Sequence, residues 1–529
     1  MSSYIFHSPL APVDIPQVHI TEFVLQKCET RPNHPAIVDG LSGTSLSFSE
    51  LATRIRRVAG GMQARGFSSG DVLALIAPNC PDYAVVFHAV ALCGGTVTTV
   101  NPTYGIAEVR QQLVDSKASW IVADQSCIAV AKQAMRGTSV SSLVNMQGNT
   151  AGTTVNGLLA EEIEQVRVDL HKQPVVLPYS SGTTGLPKGV MLSHQNLVAN
   201  LVQLNSTLHS SDDEVGLAVL PFFHIFGMQA LMGCLLSEGN TIVTVPRFDM
   251  AQALQLIEQY AVTQFYVVPP IVLGLAKSPL VDNYDLSSLR KIVSGAAPLG
   301  SELTAEASKR IDCPIVQAYG MTELSPASHI TPGFDAKPGT SGVTVANTQS
   351  RIIDSKGNDL PADTEGQLLV KGPQVMIGYL NNKTATAETL DDDGWLYTGD
   401  LAMIDKDGYL TIVDRVKELI KYKGFQIAPA ELEALIITHP DVADVAVVGI
   451  PDDEAGEVPK AYLVYKGDLG TLGKDALQQK STEIKKFVSA ELATYKSIHT
   501  VQWVDSIPKS ASGKILRRVL RNKQPENAL

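Results

Sequence analysis

The chain of 529 residues carries 42 lysines and arginines against 54 aspartates and glutamates, a formal charge of −12. Hydrophobic residues make up 44% and charged residues 18%; this excludes a mostly disordered chain, and the length allows about three folding units with a core that needs no disulfide or metal staple. The acidic excess argues against sequence-independent binding to DNA or RNA, which requires a basic footprint, while leaving room for a local small-anion site.

The N-terminal MSSYIFHSPLAPVDIP has no basic stretch followed by an apolar run, so no secretory leader is expected. Ser47 and Glu50 have capping-box spacing; Leu51, Ile55, Val58 and Met62 then recur at helical intervals, with Gly66 as a stop. Gly66-Phe-Ser-Ser-Gly70 has the form GxSxG, but a hydrolase elbow lies between a strand and a helix, whereas here a helix precedes and a buried strand follows, which predicts a turn. Residues 83–100 and 215–236 are long enough to span a bilayer. The first breaks at Gly94-Gly95 before the β-rich TVTTV, and the second contains Pro221, His224 and three glycines, so each predicts a buried strand and helix meeting at a loop. Residues 137–157, rich in Ser, Thr, Asn and Gly, read as a surface loop.

The alternation continues with NTIVTVP (strand), DMAQALQLIEQYAV (helix), QFYVVPP (strand), KIVSGAAPL (strand), SELTAEASKRI (helix) and PIVQAYG (strand). Apolar strands divided by helices predict largely parallel sheets covered on both faces. From about 340 to 412 turns multiply and helices thin out, a β-rich subdomain; after Asp414 both signals resume on a smaller scale. The six cysteines, at 28, 80, 93, 127, 234 and 313, form no CxxC, which argues against a zinc ribbon or thioredoxin-like site and fits a reducing cytosol. The C-terminal ENAL is not the peroxisomal tripeptide.

The most informative segment is Ser180-Ser181-Gly182-Thr183-Thr184-Gly185-Leu-Pro-Lys188-Gly189, after the apolar Val175-Val-Leu. Glycines let successive backbone N–H groups face an anion, hydroxyls add donors, and Lys188 adds a point charge suited to phosphate. GxxxxGK[ST] does not fit, so this is not a Walker A loop, but its composition points to a triphosphate.

SSGTTGLPKGV resembles the signature loop of the adenylate-forming superfamily, which includes acyl-CoA synthetases, peptide-synthetase adenylation domains and beetle luciferases. PFFHIFG (221–227), SGAAPLG (294–300), QAYGMTE (317–323), GWLYTGD (394–400), DRVKELIKYKGFQIAPAELE (414–433) and PKSASGKILRR (508–518) follow in the family's order. The likeness runs from about residue 20 to 518 and is nearest the branch of 4-coumarate–CoA ligases and luciferases, judged by IKYKGFQIAPAELE and PDDEAGEVP. Pattern and resemblance together give an α/β fold. A large N-terminal ATP- and acid-binding domain of helix-covered sheets (1–413) carries the β-rich subdomain (340–412), and a hinge (414–417) leads to a small mobile α+β lid domain (418–529).

The resemblance assigns roles. It implies that Lys514 bridges carboxylate and α-phosphate during adenylation, that Glu323 coordinates Mg²⁺, and that Thr322 contacts the α-phosphate. Magnesium usually takes one or two carboxylates plus substrate phosphates, which suits a single acid. Asp400 resembles the acceptor of the ribose hydroxyls, with Arg415 as its partner. Ala296, Ala297 and Pro298 resemble the adenine-side wall, with Gln317, Ala318, Tyr319 and Gly320 beside it and the Tyr319 ring stacking on the base. Lys417 falls at the family's hinge; Lys421 and Gln426 resemble groups that contact the acyl-adenylate, and Lys423 and Gly424 the pantetheine channel. Without the resemblance, Lys514 reads as a solvated lysine near a basic tail (Arg517, Arg518, Arg521, Lys523), and Asp400–Arg415 as an interface salt bridge.

The implied acyl pocket contains His224, Phe226, Val293, Ala318, Pro326 and Ala327. Plant 4-coumarate ligases usually carry Tyr where this chain has Phe226, which cannot donate a hydrogen bond to a phenol. The expected slot is mostly apolar and accepts cinnamate-like or medium-chain acids with modest selectivity. The implied activity is a cytosolic acid–thiol ligase using ATP, Mg²⁺ and coenzyme A on a small carboxylic acid, with no nucleic-acid partner and no integral membrane segment. 4-Coumarate- or cinnamate-type acids are the expected substrates; a medium- or long-chain fatty acyl-CoA synthetase, or an adenylating enzyme with another acceptor such as a carrier protein or oxygen, is the alternative, and a non-catalytic nucleotide-binding protein is disfavoured because every expected motif residue is present, Lys514 included. The acid and the oligomeric state stay open.

Overall fold

The computed structural model describes residues 4–148, 153–180, 187–208, 213–333, 337–423, 425–452, 454–510 and 513–522. Two mostly parallel sheets form the body. The seven-stranded sheet runs in the order 378–379, 188–193, 174–180, 96–100, 72–76, 120–123, 142–145. It is parallel from 174–180 to 142–145, and its last two strands at the other edge are antiparallel. In the nine-stranded sheet the strands from 315–320 through 291–294, 264–267, 215–218 and 241–244 to 35–39 are parallel, with antiparallel strands at both ends. Thr96–Val100, Trp120–Ala123 and Gln264–Val267 are buried along their whole length, as a sheet covered on both faces requires.

The local signals work as read. Ser47 Oγ accepts from the Glu50 N–H at 3.3 Å while Glu50 Oε2 accepts from the Ser47 N–H at 2.8 Å, and the helix Phe48–Gln63 they cap buries Leu51, Ile55, Val58 and Met62. Residues 66–70 form the turn between that helix and the strand Val72–Ile76. Both long apolar stretches resolve into buried elements: helix Pro81–Leu92 and strand Thr96–Val100 in one, strand Val215–Ala218, a π-helical stretch Phe226–Gly233 and helix Cys234–Glu238 in the other. Among the described residues no helix is long and apolar enough to cross a membrane.

Three expectations need correction. The presumed loop over 137–157 contains the edge strand Ser142–Asn145, parallel to Trp120–Ala123, because Val144 has an apolar wall to pack on. The strand expected from KIVSGAAPL ends at Ser294, and Ala296 takes a left-handed backbone with φ of 71°. The basic C-terminal run is a packed helix, Arg517–Asn522, with Leu520 buried, Arg517 paired to Glu433 at 2.6 Å and Arg521 to Glu418 at 2.7 Å; Lys523 lies outside the described residues.

The subdomain is an antiparallel sheet of 349–353, 366–371, 396–404 and 410–415, to which Phe6–His7 adds an edge strand. The C-terminal part has its own core, including Ile420, Ile427, Leu432, Val447, Leu463 and Val488. It is tied back to the subdomain by the Asp414 carboxylate, which accepts from the Ala430 N–H at 2.8 Å at the start of helix Pro429–Ile436.

Candidate active site

The site lies where the carboxyl ends of the nine-stranded sheet, the hairpin 174–193 and the subdomain meet. Strand Ile315–Gly320 runs into the short helical turn Thr322–Leu324. Gly320 is required at this junction, since a Cβ there would stand 2.0 Å from the Pro326 carbonyl oxygen. Gln317 pins the neighbouring loop: its amide accepts from the Leu299 N–H at 3.3 Å and donates to the Leu299 carbonyl at 3.2 Å. That bracket holds the strained Ala296 in place; left-handed non-glycine residues cost about 1 kcal/mol or more and gather at functional sites.

Beside this junction is a cavity with about 580 Å³ of empty space, its mouth included. Its polar lining includes Lys514, Thr322, His224 and Tyr319, with Gly320 beside them. Its apolar lining includes Phe226, Val293, Ala318, Pro326 and Ala327, which the sequence singles out, and Leu204, Leu208, Ala230, Tyr266 and Ile330, which it does not. Leu204 and Leu208 share one face of helix His194–Leu208. The Tyr266 ring stands edge-to-face on Phe226, with centroids 6.4 Å apart, and its hydroxyl donates to Gln264 Oε1 at 3.0 Å. A Cβ on Gly295 would lie 3.0 Å from the Phe226 ring, so that glycine admits the ring to the wall.

Lys514 reaches the cavity from the C-terminal part. Lys509 and Ile515 pair across a narrow loop, closed by Ser510 N–H to the Lys514 carbonyl at 2.8 Å, and Gly513 passes against Val268. Burial first, and the Arg415 guanidinium second, pull the Lys514 ammonium down from its usual 10.5 to about 8, against the opposing pull of Asp400 and Glu323. His224 drops to about 3 through burial and then the Lys514 charge, so at neutral pH it is an uncharged imidazole.

Asp400 is 8% exposed and faces Arg415 across the antiparallel pair 396–404/410–415. Arg415 Nε stands 3.5 Å from Asp400 Oδ1, and the Tyr319 hydroxyl donates to Oδ2 at 2.5 Å. Burial raises the Asp400 carboxyl, against Arg415, Tyr319 and Lys514. Glu323 is buried, and its Oε1 accepts from Ser180 Oγ at 3.1 Å and from the Tyr379 hydroxyl at 2.8 Å. Ser180 pairs with Lys188 across the hairpin, and the Lys188 ammonium lies 4.6 Å over the Tyr379 ring. Tyr379 carried no signal in the sequence; its place emerges only when Gly378–Tyr379 pairs with the strand that starts at Lys188.

Other expected residues stand apart from the cavity. Ala297 is half-buried and Pro298 exposed. Lys417, Lys421 and Lys423 are exposed, and none contributes to the wall. Ser181, Gly182, Thr183, Thr184, Gly185 and Gly424, and the side chain of Gln426, lie outside the described residues. Among the described residues no cluster of three or more His, Cys, Asp or Glu could hold a metal. A single buried carboxylate whose one oxygen already takes two hydroxyl donors still fits Mg²⁺, which is commonly held by one acid together with substrate phosphates.

Comparison with known proteins agrees with this geometry. Residues 24–380 match the family model described as AMP-binding enzyme, and 431–514 that of the AMP-binding enzyme C-terminal domain. The chain is 40% identical to 4-coumarate–CoA ligase 5 of Oryza sativa subsp. japonica over 98% of its own length and 97% of the relative's. It is likewise 40% identical to 4-coumarate–CoA ligase 1 of Arabidopsis thaliana, over 99% and 96%. The crystal structure of the anthranilate CoA ligase AuaEII in complex with anthranoyl-AMP superposes with a TM-score of 0.87 at 25% identity, covering 96% of this chain and 97% of that one. ATP-bound MatB from Rhodopseudomonas palustris superposes with a TM-score of 0.86 at 28% identity, covering 95% and 98%. The chain belongs to the AMP-binding enzyme family and is an acid–thiol ligase of the adenylate-forming kind.

Proposed function

We propose that the protein activates a 4-coumarate- or cinnamate-type acid with ATP and passes the acyl group to coenzyme A, in the cytosol. The observation that carries this reading is that Lys514 lines the same cavity as a largely apolar set of side chains. In the first half-reaction a carboxylate oxygen attacks the α-phosphorus, the bond to the β-phosphate breaks and pyrophosphate leaves. Two anions approach each other, so catalysis is chiefly positioning and charge compensation. The Lys514 ammonium lies between them, Thr322 donates to the α-phosphate, and Lys188 serves the outer phosphates. Asp400, held by Arg415 and Tyr319, accepts the ribose hydroxyls. Neutral His224 walls the carboxylate without competing with Lys514 for charge. Glu323 would hold Mg²⁺, which when bound offsets phosphate charge.

In the second half-reaction the thiol sulfur attacks the acyl carbon, its proton is lost, the bond to AMP breaks and AMP leaves. Rotation about Lys417 would withdraw Lys514 and bring Lys421, Lys423, Gly424 and Gln426 to the site; the exposure of Lys421 and Lys423 here accords with a second position. The apolar lining also favours a second reading, a medium-chain fatty acid, since Phe226, Leu204, Leu208 and Ile330 offer no polar handle.

The test is pyrophosphate release over a panel of cinnamic and C6–C12 acids, with and without CoA, with products read by mass spectrometry. Acyl-CoA from 4-coumarate or cinnamate supports the first reading, and acyl-CoA mainly from fatty acids the second. Acyl-AMP without thioester points to another acceptor, and no turnover on any of these acids defeats both.

A further inference from the structure

Tyr379 stands between two groups of opposite charge. Its hydroxyl donates to Glu323 Oε1 at 2.8 Å, and its ring face lies 4.6 Å under the Lys188 ammonium. Its backbone cannot drift. Ile377 N–H donates to the Met191 carbonyl at 3.0 Å, Leu380 N–H to the Gly189 carbonyl at 2.8 Å, and Tyr379 N–H to Thr386 Oγ1 at 2.9 Å. The same segment grips Glu323 a second time, through Met376 N–H to the Glu323 carbonyl at 2.9 Å.

A direct contact between the buried Glu323 carboxylate and the Lys188 ammonium would make an ion pair. Such a pair would cancel the charges that a metal and a polyphosphate each need. Tyr379 satisfies each partner with a neutral group: a hydroxyl donor for the acid, and a π face for the ammonium. Both hydroxyl donors to Glu323 among the described residues take Oε1, which leaves Oε2 for a cation.

We propose that Tyr379 is a positioning residue that keeps Glu323 and Lys188 apart and separately aimed, the acid at Mg²⁺ and the ammonium at the phosphates of ATP. The inference rests on the proposed role of Glu323 as the magnesium acid.

The two ends of the side chain separate by mutation. Tyr379→Phe keeps the ring under Lys188 and removes the grip on Glu323; Tyr379→Leu removes both. The measurements are the KM for ATP at saturating Mg²⁺, the free Mg²⁺ giving half-maximal adenylation, and Mn²⁺ affinity by electron paramagnetic resonance with a non-hydrolysable ATP analogue. For Tyr379→Phe the metal requirement should rise and the Mn²⁺ affinity fall by about tenfold, with the ATP KM within about twofold of wild type. For Tyr379→Leu the ATP KM should rise as well. Wild-type Mn²⁺ affinity in Tyr379→Phe, with Glu323→Gln abolishing it, overturns the proposal alone. Unchanged Mn²⁺ affinity in Glu323→Gln overturns the metal assignment beneath it. Because Phe is nearly isosteric, the Mn²⁺ measurement on Tyr379→Phe decides the question even if Tyr379→Leu does not fold.

Discussion

Lys514→Ala tests the mechanism most directly. The side chain is the contribution of the C-terminal part to the cavity wall and sits beside Thr322 and His224. An ammonium about 4 Å from an anion, at an effective dielectric constant near 20, is worth about 4 kcal/mol. Removing it should slow adenylation about a thousandfold, at about 1.4 kcal/mol per decade. Thiolation of supplied acyl-AMP does not need this group and should remain largely intact. The assay is single-turnover pyrophosphate release for the first half-reaction and thioester formation from synthetic acyl-AMP for the second. The pH profile gives an independent check. The working form is the ammonium, whose pKa in the docked site is lowered from 10.5 to about 8. The kcat/KM for adenylation should therefore be full below pH 8 and fall as pH rises through it. Bound phosphates favour the ammonium, so the limb in kcat should lie higher. Lys514→Arg, charged throughout, should flatten the limb even if slower overall. Equal loss in both half-reactions for Lys514→Ala, or an alkaline limb that survives in Lys514→Arg, would refute the reasoning.

Asp400→Asn keeps the shape but removes the charge that Arg415 and Tyr319 hold; the ATP KM should rise about 10- to 100-fold with little change in the acid KM, read by initial rates. Arg517→Ala leaves the mostly buried Glu433 without its 2.6 Å partner, which should cost about 1–3 kcal/mol, read as a lower denaturant midpoint for the C-terminal part. Phe226→Tyr puts a phenol at the far end of the slot, and should raise kcat/KM for 4-coumarate relative to cinnamate; a ratio that stays constant would remove this position from substrate selection.

The sequence is legible where chemistry is local. The capping box at Ser47, the buried parallel strands and the apolar strand that runs up to Ser180 each state their structure within a few residues. It is opaque where one partner is remote and the other looks ordinary. Phe6–His7 has no strand signal until Gln349–Ser350 supplies an edge. Arg517 looks like part of a solvated basic tail, and becomes structural only because Glu433 is buried opposite it. Lys514 has no chemical signal of its own, so its role is readable only by resemblance. Tyr379 lacks even that, because what it does depends on Glu323 and Lys188 arriving on either side of one ring.

The charge balance around Lys514 suggests how the chemistry could drive the lid. A fall from 10.5 to about 8 means that placing the ammonium in the empty cavity is unfavourable by roughly 3 kcal/mol at neutral pH. The sign follows from the direction: the docked form disfavours the proton, so the penalty is full below pH 8 and vanishes above 10.5. Asp400 and Glu323 reduce that penalty without removing it, and Arg415 adds to it. ATP and the carboxylate bring the missing negative charge, so substrate binding should favour the docked lid. Once pyrophosphate has left and the carboxylate and phosphate have merged into acyl-AMP, most of that charge is gone and the burial penalty returns. On the proposed mechanism, Lys514 would then be the group with most to gain from leaving, and its departure would clear the acyl carbon for the thiol. One half-buried cation, left short of counter-charge by the protein, would thus couple the first half-reaction to the motion proposed for the second.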